Sequence, residues 1–481
     1  MNKLKKNKPV FLLSSYLRQW KGKVLKASTF SILNKLFDVA PEVLIGVAVD
    51  LVVKKNQSFV ASLGFETINS QVMFIGGLTF AIWVLESLFE YLYLIEWRGL
   101  AQNLEHDLRI KAYDHAQRLD LSWHEKQTIG NITSILNDDV NQLERFLNNG
   151  VNQIIQVTTS TILIGIIFFY ISPLIASIAI VPVPIIFFIG VSFQKKLSPR
   201  YKIIREKVGA LNTTIVNNLM GIQIIKSLMT FSFEKESVSK MSQEYQQENI
   251  NAISISSAFN PLIRMGVLAG FLGTMLIGSY MALNGTLEVG SYSVLVFLTQ
   301  RFLWPFTTLS TLIDDFERTM ASTKRIFNMM NVERKIKNND SPKVLKNLKG
   351  DITFDNVGFS YDNQKPLFDN FHLFIPFGSS VGIVGDTGSG KTTVAKLLLR
   401  LYDVEKGTIT IGDTSLGNID ISFLRKRIGI VNQSPFLFNS TIKDNIGYGL
   451  ANPTMEQIEI AAKKSQAMEF IEKLPNGFDT I

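Results

Sequence analysis

Between Ser379 and Leu399 the chain reads SSVGIVGDTGSGKTTVAKLLL. Gly385, Asp386, Thr387, Gly388, Ser389, Gly390, Lys391 and Thr392 satisfy G-x-x-x-x-G-K-[ST] at every fixed position. The chemistry of that spacing is phosphate binding. Glycines let the backbone curl until successive N–H groups point inward at phosphate oxygens. The positive end of the following helix adds its partial charge. Lys391 is placed to reach the β- and γ-phosphates, and the Thr392 hydroxyl, beside Thr393, to ligate Mg²⁺. An apolar strand pattern over Val381–Val384 and a helical pattern over Thr392–Leu399 supply the context the motif requires. The chain is expected to bind a nucleoside triphosphate at 385–393.

The elements around this loop belong to two kinds of domain. The 481 residues are 46 % hydrophobic and 19 % charged, too apolar for a purely soluble protein and too charged for one wholly in lipid. No cysteine is present, which excludes disulfides and thiolate metal sites. His106, His115 and His124 are nine residues apart, so neighbours fall on opposite helix faces, and no histidine metal site is expected. The N-terminus starts basic but lacks a signal-length apolar run. Residues 1–23 read as a cytoplasmic amphipathic segment along the membrane, with Phe11, Leu12, Leu13, Tyr16 and Trp20 as its apolar face.

Six apolar segments follow, near Val24–Val53, Val72–Trp97, Ile154–Ser172, Pro173–Phe193, Ile253–Leu283 and Val289–Leu312. Each approaches or exceeds the ~20 residues that cross hydrocarbon. Charges such as Lys35, Asp38, Glu42, Glu86 and Glu90 lead us to expect a hydropathy window to pass over the first two. Basic residues concentrate before the first segment and in the long connections after the second and fourth, including Lys195, Lys196, Arg200, Lys202 and Arg205. By the positive-inside rule both termini are cytoplasmic. That distribution also accounts for much of the +8 net charge without nucleic acid. The long connections keep helical periodicity, broken only at Ser122–Gly130 and by the apolar stretch Leu219–Met229. Helices therefore extend far beyond the membrane, joined by short turns. Pro182, Pro184 and Pro305 mark kinks or hinges.

Residues 24–330 read as an all-α transmembrane domain of six helices with two cytoplasmic extensions, and 331–350 as a charged linker. From 351 to 481, strand patterns at Ile352–Phe359, Phe371–Ile375, Val381–Val384, Thr408–Ile411 and Ile428–Val431, with a turn around Asp362–Pro366, give a soluble α/β domain with a mixed sheet. On the second segment Thr79, Trp83, Glu86, Glu90, Tyr93 and Trp97 share an arc of about 80°. Asp38 and Glu42 form an acidic i,i+4 pair on the first. Ionisable groups at membrane depth usually face the bundle interior or water. These residues either line a cavity for cationic or amphipathic substrates, or pair with Lys35 or Arg264, or sit below the hydrocarbon.

Six segments, two helical excursions and a C-terminal phosphate-loop domain together resemble an ATP-binding-cassette exporter half-transporter. The resemblance covers essentially the whole chain. It implies ATP and Mg²⁺ as ligands and a homo- or heterodimer in the membrane. It further implies alternating access that exports a small molecule, lipid, drug or peptide of amphipathic character, with no nucleic-acid partner. Phe359-Ser360-Tyr361 is similar to the family's aromatic loop, which would stack Tyr361 on adenine. Gln433, in IVNQSPFLFNSTIKDNI, is similar to its glutamine loop and would contact Mg²⁺. Trp123, His124 and Glu125, and Gly221 and Ile222, fall where the family's coupling helices lie. The run SILNDDVNQLERFL at 134–147 is also family-like. A bacterial plasma membrane is the expected location.

One departure is large. The sequence ends Phe478-Asp479-Thr480-Ile481, ahead of where the family carries its signature, the Mg²⁺-holding aspartate, the catalytic glutamate and the switch histidine. The nucleotide-binding domain is thus expected to be incomplete, a fragment or a catalytically silent subunit, binding ATP without hydrolysing it. The sequence holds no catalytic residue for that step.

Overall fold

The computed structural model describes residues 8–339, 341–343, 347–361 and 365–481. Residues 1–7 of the expected amphipathic segment, residues 340 and 344–346 of the expected linker and residues 362–364 of the expected turn lie outside these. The chain divides into two compact units, Met1–Leu119 with Trp123–Glu333, and Asp120–Ser122 with Arg334–Ile481.

The first unit is helical. Its elements are α1 (Pro9–Leu17), α2 (Lys21–Lys54) and α3 (Ile68–Gln117), then, beyond the short α4 (Leu121–Lys126), whose first two residues fall in the second unit, α5 (Ile129–Ile171) and α6 (Pro173–Met220). There follow α7 (Ile222–Leu228), α8 (Phe231–Leu283), α9 (Val289–Leu303) and α10 (Leu309–Met330). The 50 residues of α3 span about 75 Å at 1.5 Å per residue, far more than the ~30 Å hydrocarbon core. Among the described residues, α3, α5, α6 and α8 are long and apolar enough to cross a membrane. The expectation that a window would pass over the first two segments is therefore half wrong. The second qualifies. The first does not, because every 18-residue stretch of α2 carries at least three charges, Asp38, Glu42 and Asp50 in its most apolar part, and the sixth does not, because α9 is only 15 residues long before a 3-10 turn at Trp304–Thr308.

Two apolar cores hold this unit. One joins Val39, Ile164, Phe168, Ile175, Ile263 and Leu298 across the membrane-level helices. The other joins Leu13, Trp97, Leu104, Leu108, Leu143 and Ile326. In the second core Leu13 is buried, and Tyr16 and Trp20 pack against it. The apolar face expected to lie along the membrane is thus divided. Leu13, Tyr16 and Trp20 cover protein, while Phe11 remains exposed. The turn expected at Ser122–Gly130 contains the helix α4.

The second unit carries strands β1 (Ile352–Phe359), β2 (Phe368–Ile375), β3 (Lys406–Ile411) and β4 (Thr414–Ser415) in the order β2-β1-β3-β4. Every ladder is antiparallel, so the expected mixed sheet is not present among the described residues. Val381–Val384 and Ile428–Val431 are not in a ladder either. A strand exists only where a neighbour takes its N–H and C=O groups. Among the described residues these two apolar runs have no such neighbour, and Val384 and Val431 are 92 % and 98 % exposed. Helix α11 (Lys391–Leu398) buries Val394 and Leu397 in the core formed with Phe354, Phe359, Phe368 and Ile409. That packing fixes the start of α11, and with it the glycine-rich loop.

Candidate functional site

The loop enters α11 through Gly388 and Gly390, at φ +87° and +92°. These left-handed conformations strain any side chain, which explains glycine at both positions. At Gly390 a Cβ would also lie 2.7 Å from the Phe368 ring. The Lys391 ammonium donates to the carbonyls of Gly385 at 2.8 Å and Asp386 at 2.7 Å. Its charge is thereby aimed back over the loop. At the start of α11 the N–H groups of Lys391 and Thr392 precede the first helical hydrogen bonds, which run from the Thr393 and Val394 N–H groups to the Gly390 carbonyl at 2.9 and 3.1 Å, and Thr392 is exposed. Donors, a cation and a hydroxyl therefore converge on one small volume, which fits a polyphosphate with a divalent ion.

Tyr361 sits beside this loop. Its hydroxyl is 2.9 Å from the buried Thr393 hydroxyl. Its ring makes edge contacts with Phe359 at 4.9 Å and Tyr402 at 5.2 Å. The Lys396 ammonium lies 5.6 Å from the Tyr361 centroid. Tyr402 and Lys396 are neighbours that sequence reading missed; the signal was a second tyrosine following the phosphate-loop helix. Gln433 is exposed on an irregular segment. Asn445 orders the chain nearby, accepting from the Phe438 N–H at 2.8 Å and donating back to its carbonyl at 3.0 Å.

The two short helices differ in character. In α4, Trp123 packs edge-on against His124 at 5.0 Å, and an His124 ring nitrogen lies 2.9 Å from the Ala116 carbonyl. Glu125 is exposed. Gly221 precedes α7, its N–H donating to the Asn217 carbonyl at 2.8 Å. Ile222, Ile224 and Leu228 are exposed along α7.

The acidic residues separate into two groups. Arg301 of α9 bridges Asp38 and Glu42, at 2.5 Å to each, and Lys35 holds the other Asp38 oxygen at 2.6 Å. Arg301 was missed in the sequence, although it is the one basic residue in the apolar run VLVFLTQRFLWPF. Lys35 is the partner that was foreseen; Arg264 makes no ion pair among the described residues. Glu42 Oε2 is buried without a hydrogen-bond partner among them. The expected stripe on α3 also divides. Tyr93 and Trp97 are core residues, and Trp97 Nε1 donates to the Ser31 hydroxyl at 3.0 Å. Trp83 and Glu90 are exposed, and Glu86 is half-buried.

Fold and site define a membrane-embedded helical protein carrying a phosphate-loop nucleotide-binding domain. The model for the ABC transporter transmembrane region matches residues 24–306, and the ABC transporter model matches 368–480. The chain belongs to the ABC transporter family, and its fold is of the exporter type. It is 32 % identical over 382 residues to an uncharacterized ABC transporter ATP-binding protein, YknU, of Bacillus subtilis, covering 78 % of this chain and 64 % of that protein. It is 29 % identical over 393 residues to an ATP-dependent lipid A-core flippase of Photorhabdus laumondii, covering 81 % and 67 %. The chain thus spans about two thirds of the length of these relatives. The structure of a bacterial Atm1-family ABC exporter with ATP bound superposes with a TM-score of 0.77 at 22 % identity, over 97 % of this chain and 80 % of that one.

Proposed function

We propose that this chain is the half-transporter of an ATP-driven exporter that moves an amphipathic molecule across the membrane by alternating access. The observation that carries this is the phosphate loop, with Lys391 turned over its own carbonyls at the start of a packed helix. Gly385–Thr393 hold the phosphates, Thr392 and Gln433 take Mg²⁺, and Tyr361 stacks on adenine. ATP favours the closed form of a homo- or heterodimer, a population shift that hydrolysis reverses. Segments α4 and α7, with Trp123, His124, Glu125, Gly221 and Ile222, couple that shift to the helices. Asp38, Glu42, Trp83, Glu86 and Glu90 belong to the substrate cavity, and Tyr93, packed in the core, does not. With Lys35 and Arg301 beside them, the four acids leave an acidic excess that favours cationic amphiphiles. The flippase relative supports a lipid-like substrate. Both termini lie in the cytoplasm of a bacterial cell.

Binding of a fluorescent ATP analogue to the full chain in nanodiscs tests the loop. Lys391→Ala removes a charge-assisted phosphate contact and is expected to weaken binding at least tenfold. Thr392→Ala should abolish the Mg²⁺ dependence. Analogue binding that is indifferent to both changes would remove the phosphate-loop assignment.

A further inference from the structure

Where the fourth apolar segment ends on α6, two cavities share Gln194 and Lys195 as a common wall. The first, about 250 Å³, is lined by Ile186, Phe187, Phe259, Ile263, Phe306 and Ile313, all apolar. The second, about 530 Å³, adds Ser198, Pro199, Lys202, Arg205 and Glu317. An apolar chamber thus opens into one that sets three cations against a single carboxylate. Lys195 and Lys202, seven residues apart, share a helix face. Lys202 reaches Glu206 only at 4.0 Å, so its charge is weakly compensated by that neighbour. Gly190 also lines the apolar chamber, and a Cβ built on it meets nothing within 4 Å. The chamber therefore reaches the helix backbone.

We propose that this paired cavity binds one anionic phospholipid of the surrounding bilayer. An acyl chain fills the apolar chamber, and the phosphate lies against Lys195, Lys202 and Arg205. Position supports this occupant. The change from apolar to basic sequence across Phe193-Gln194-Lys195-Lys196 marks the boundary between hydrocarbon and headgroups. Long basic side chains at such a boundary carry their charge to headgroup level. Chain burial supplies affinity without headgroup preference, and the three cations supply the preference. The site is separate from the phosphate loop and from the Asp38–Glu42–Arg301 cluster, so its failure leaves the proposed export function standing.

Native mass spectrometry of the full chain, titrated with phosphatidylglycerol or with phosphatidylcholine, tests the assignment. Phosphatidylglycerol should be retained at least tenfold more tightly. The triple variant Lys195→Gln, Lys202→Gln, Arg205→Gln should bring it to the phosphatidylcholine level, at roughly fivefold per charge. Gly190→Phe should weaken both lipids by filling the apolar chamber. Equal retention of the two lipids by the unaltered chain overturns the proposal. So does undiminished phosphatidylglycerol binding in either variant, and so does displacement by inorganic phosphate, which would assign a soluble anion. If Gly190→Phe fails to fold, the triple variant, altered only at exposed positions, decides alone. Unchanged binding of the ATP analogue serves as its folding control.

Discussion

Asp138 and Asp139 are identical neighbours in the sequence and opposites in the fold. Asp138 is exposed and accepts from the Ser134 hydroxyl at 3.0 Å. Asp139 has a side chain only 3 % exposed, accepts from the Ser322 hydroxyl at 2.8 Å and from Arg325 Nε at 2.7 Å, and is ion-paired to Arg325. The Asp139 hydrogen bonds raise the ionisation of the Arg325 guanidinium, outweighing the opposing effect of burial. Removing one partner of a buried pair leaves the other unsatisfied. Arg325 is 56 % exposed and can rehydrate, so Asp139→Ala should destabilise by about 2 kcal/mol, below the full range for a buried pair. Thermal unfolding in detergent measures this, and an unchanged midpoint would contradict it. At this scale the phosphate loop was legible, because its chemistry is local and its residues contiguous. Asp139 and Arg301 were not, because their partners lie 186 and about 260 residues away.

Helix α1 is held to α3 by a polar contact with its own pH window. The Tyr16 hydroxyl donates to Asp107 at 2.6 Å, and Lys111 donates to the same oxygen at 2.8 Å. Burial raises the Asp107 pKa, but the hydrogen bonds from Lys111 and Tyr16 prevail and hold it below the usual carboxylate value. Burial, then the Asp107 contact, pushes the Tyr16 phenol up. A depressed carboxylate stabilises the docked state above its unfolded pKa, near 3.9, and that contribution is lost as pH falls through the folded value. A raised phenol contributes below about 10 and is lost as pH rises beyond. A spin label at Ser14→Cys should therefore be immobile at neutral pH and gain mobility below about pH 4. With Asp107→Asn added, the label should be mobile already at neutral pH; a label equally immobile there would remove Asp107 from the docking. Elsewhere α2 and α9 cross at Gly46 and Gly290. The Gly290 N–H donates to Asp50 Oδ1 at 2.9 Å, and a Cβ at Gly46 would lie 2.8 Å from the Gly290 carbonyl oxygen. Small residues permit such close crossings. Gly290→Ala should separate the helices and destabilise by about 1–3 kcal/mol, readable as a lower unfolding midpoint.

For the molecule as a whole, the absence of cysteine makes the topology directly testable. Ser62→Cys and Asn284→Cys should react with a membrane-impermeant maleimide on intact cells, and Ser239→Cys only after lysis. Labelling of Ser239→Cys from outside would reverse the assigned orientation. The sequence by itself determined the two kinds of domain, the long helices and the nucleotide loop. Each rests on periodicity, length or contiguous spacing, which short-range physics imposes. Only the tertiary structure decided which charges in the membrane helices pair, which aromatic residues of α3 are core, and where an apolar chamber adjoins a basic one. It also separated the strands that found partners, Ile352–Phe359 among them, from Val381–Val384 and Ile428–Val431, which did not. An apolar run records a tendency to be buried. A strand further requires a neighbour to receive its hydrogen bonds, and that neighbour is set by the packing of the chain.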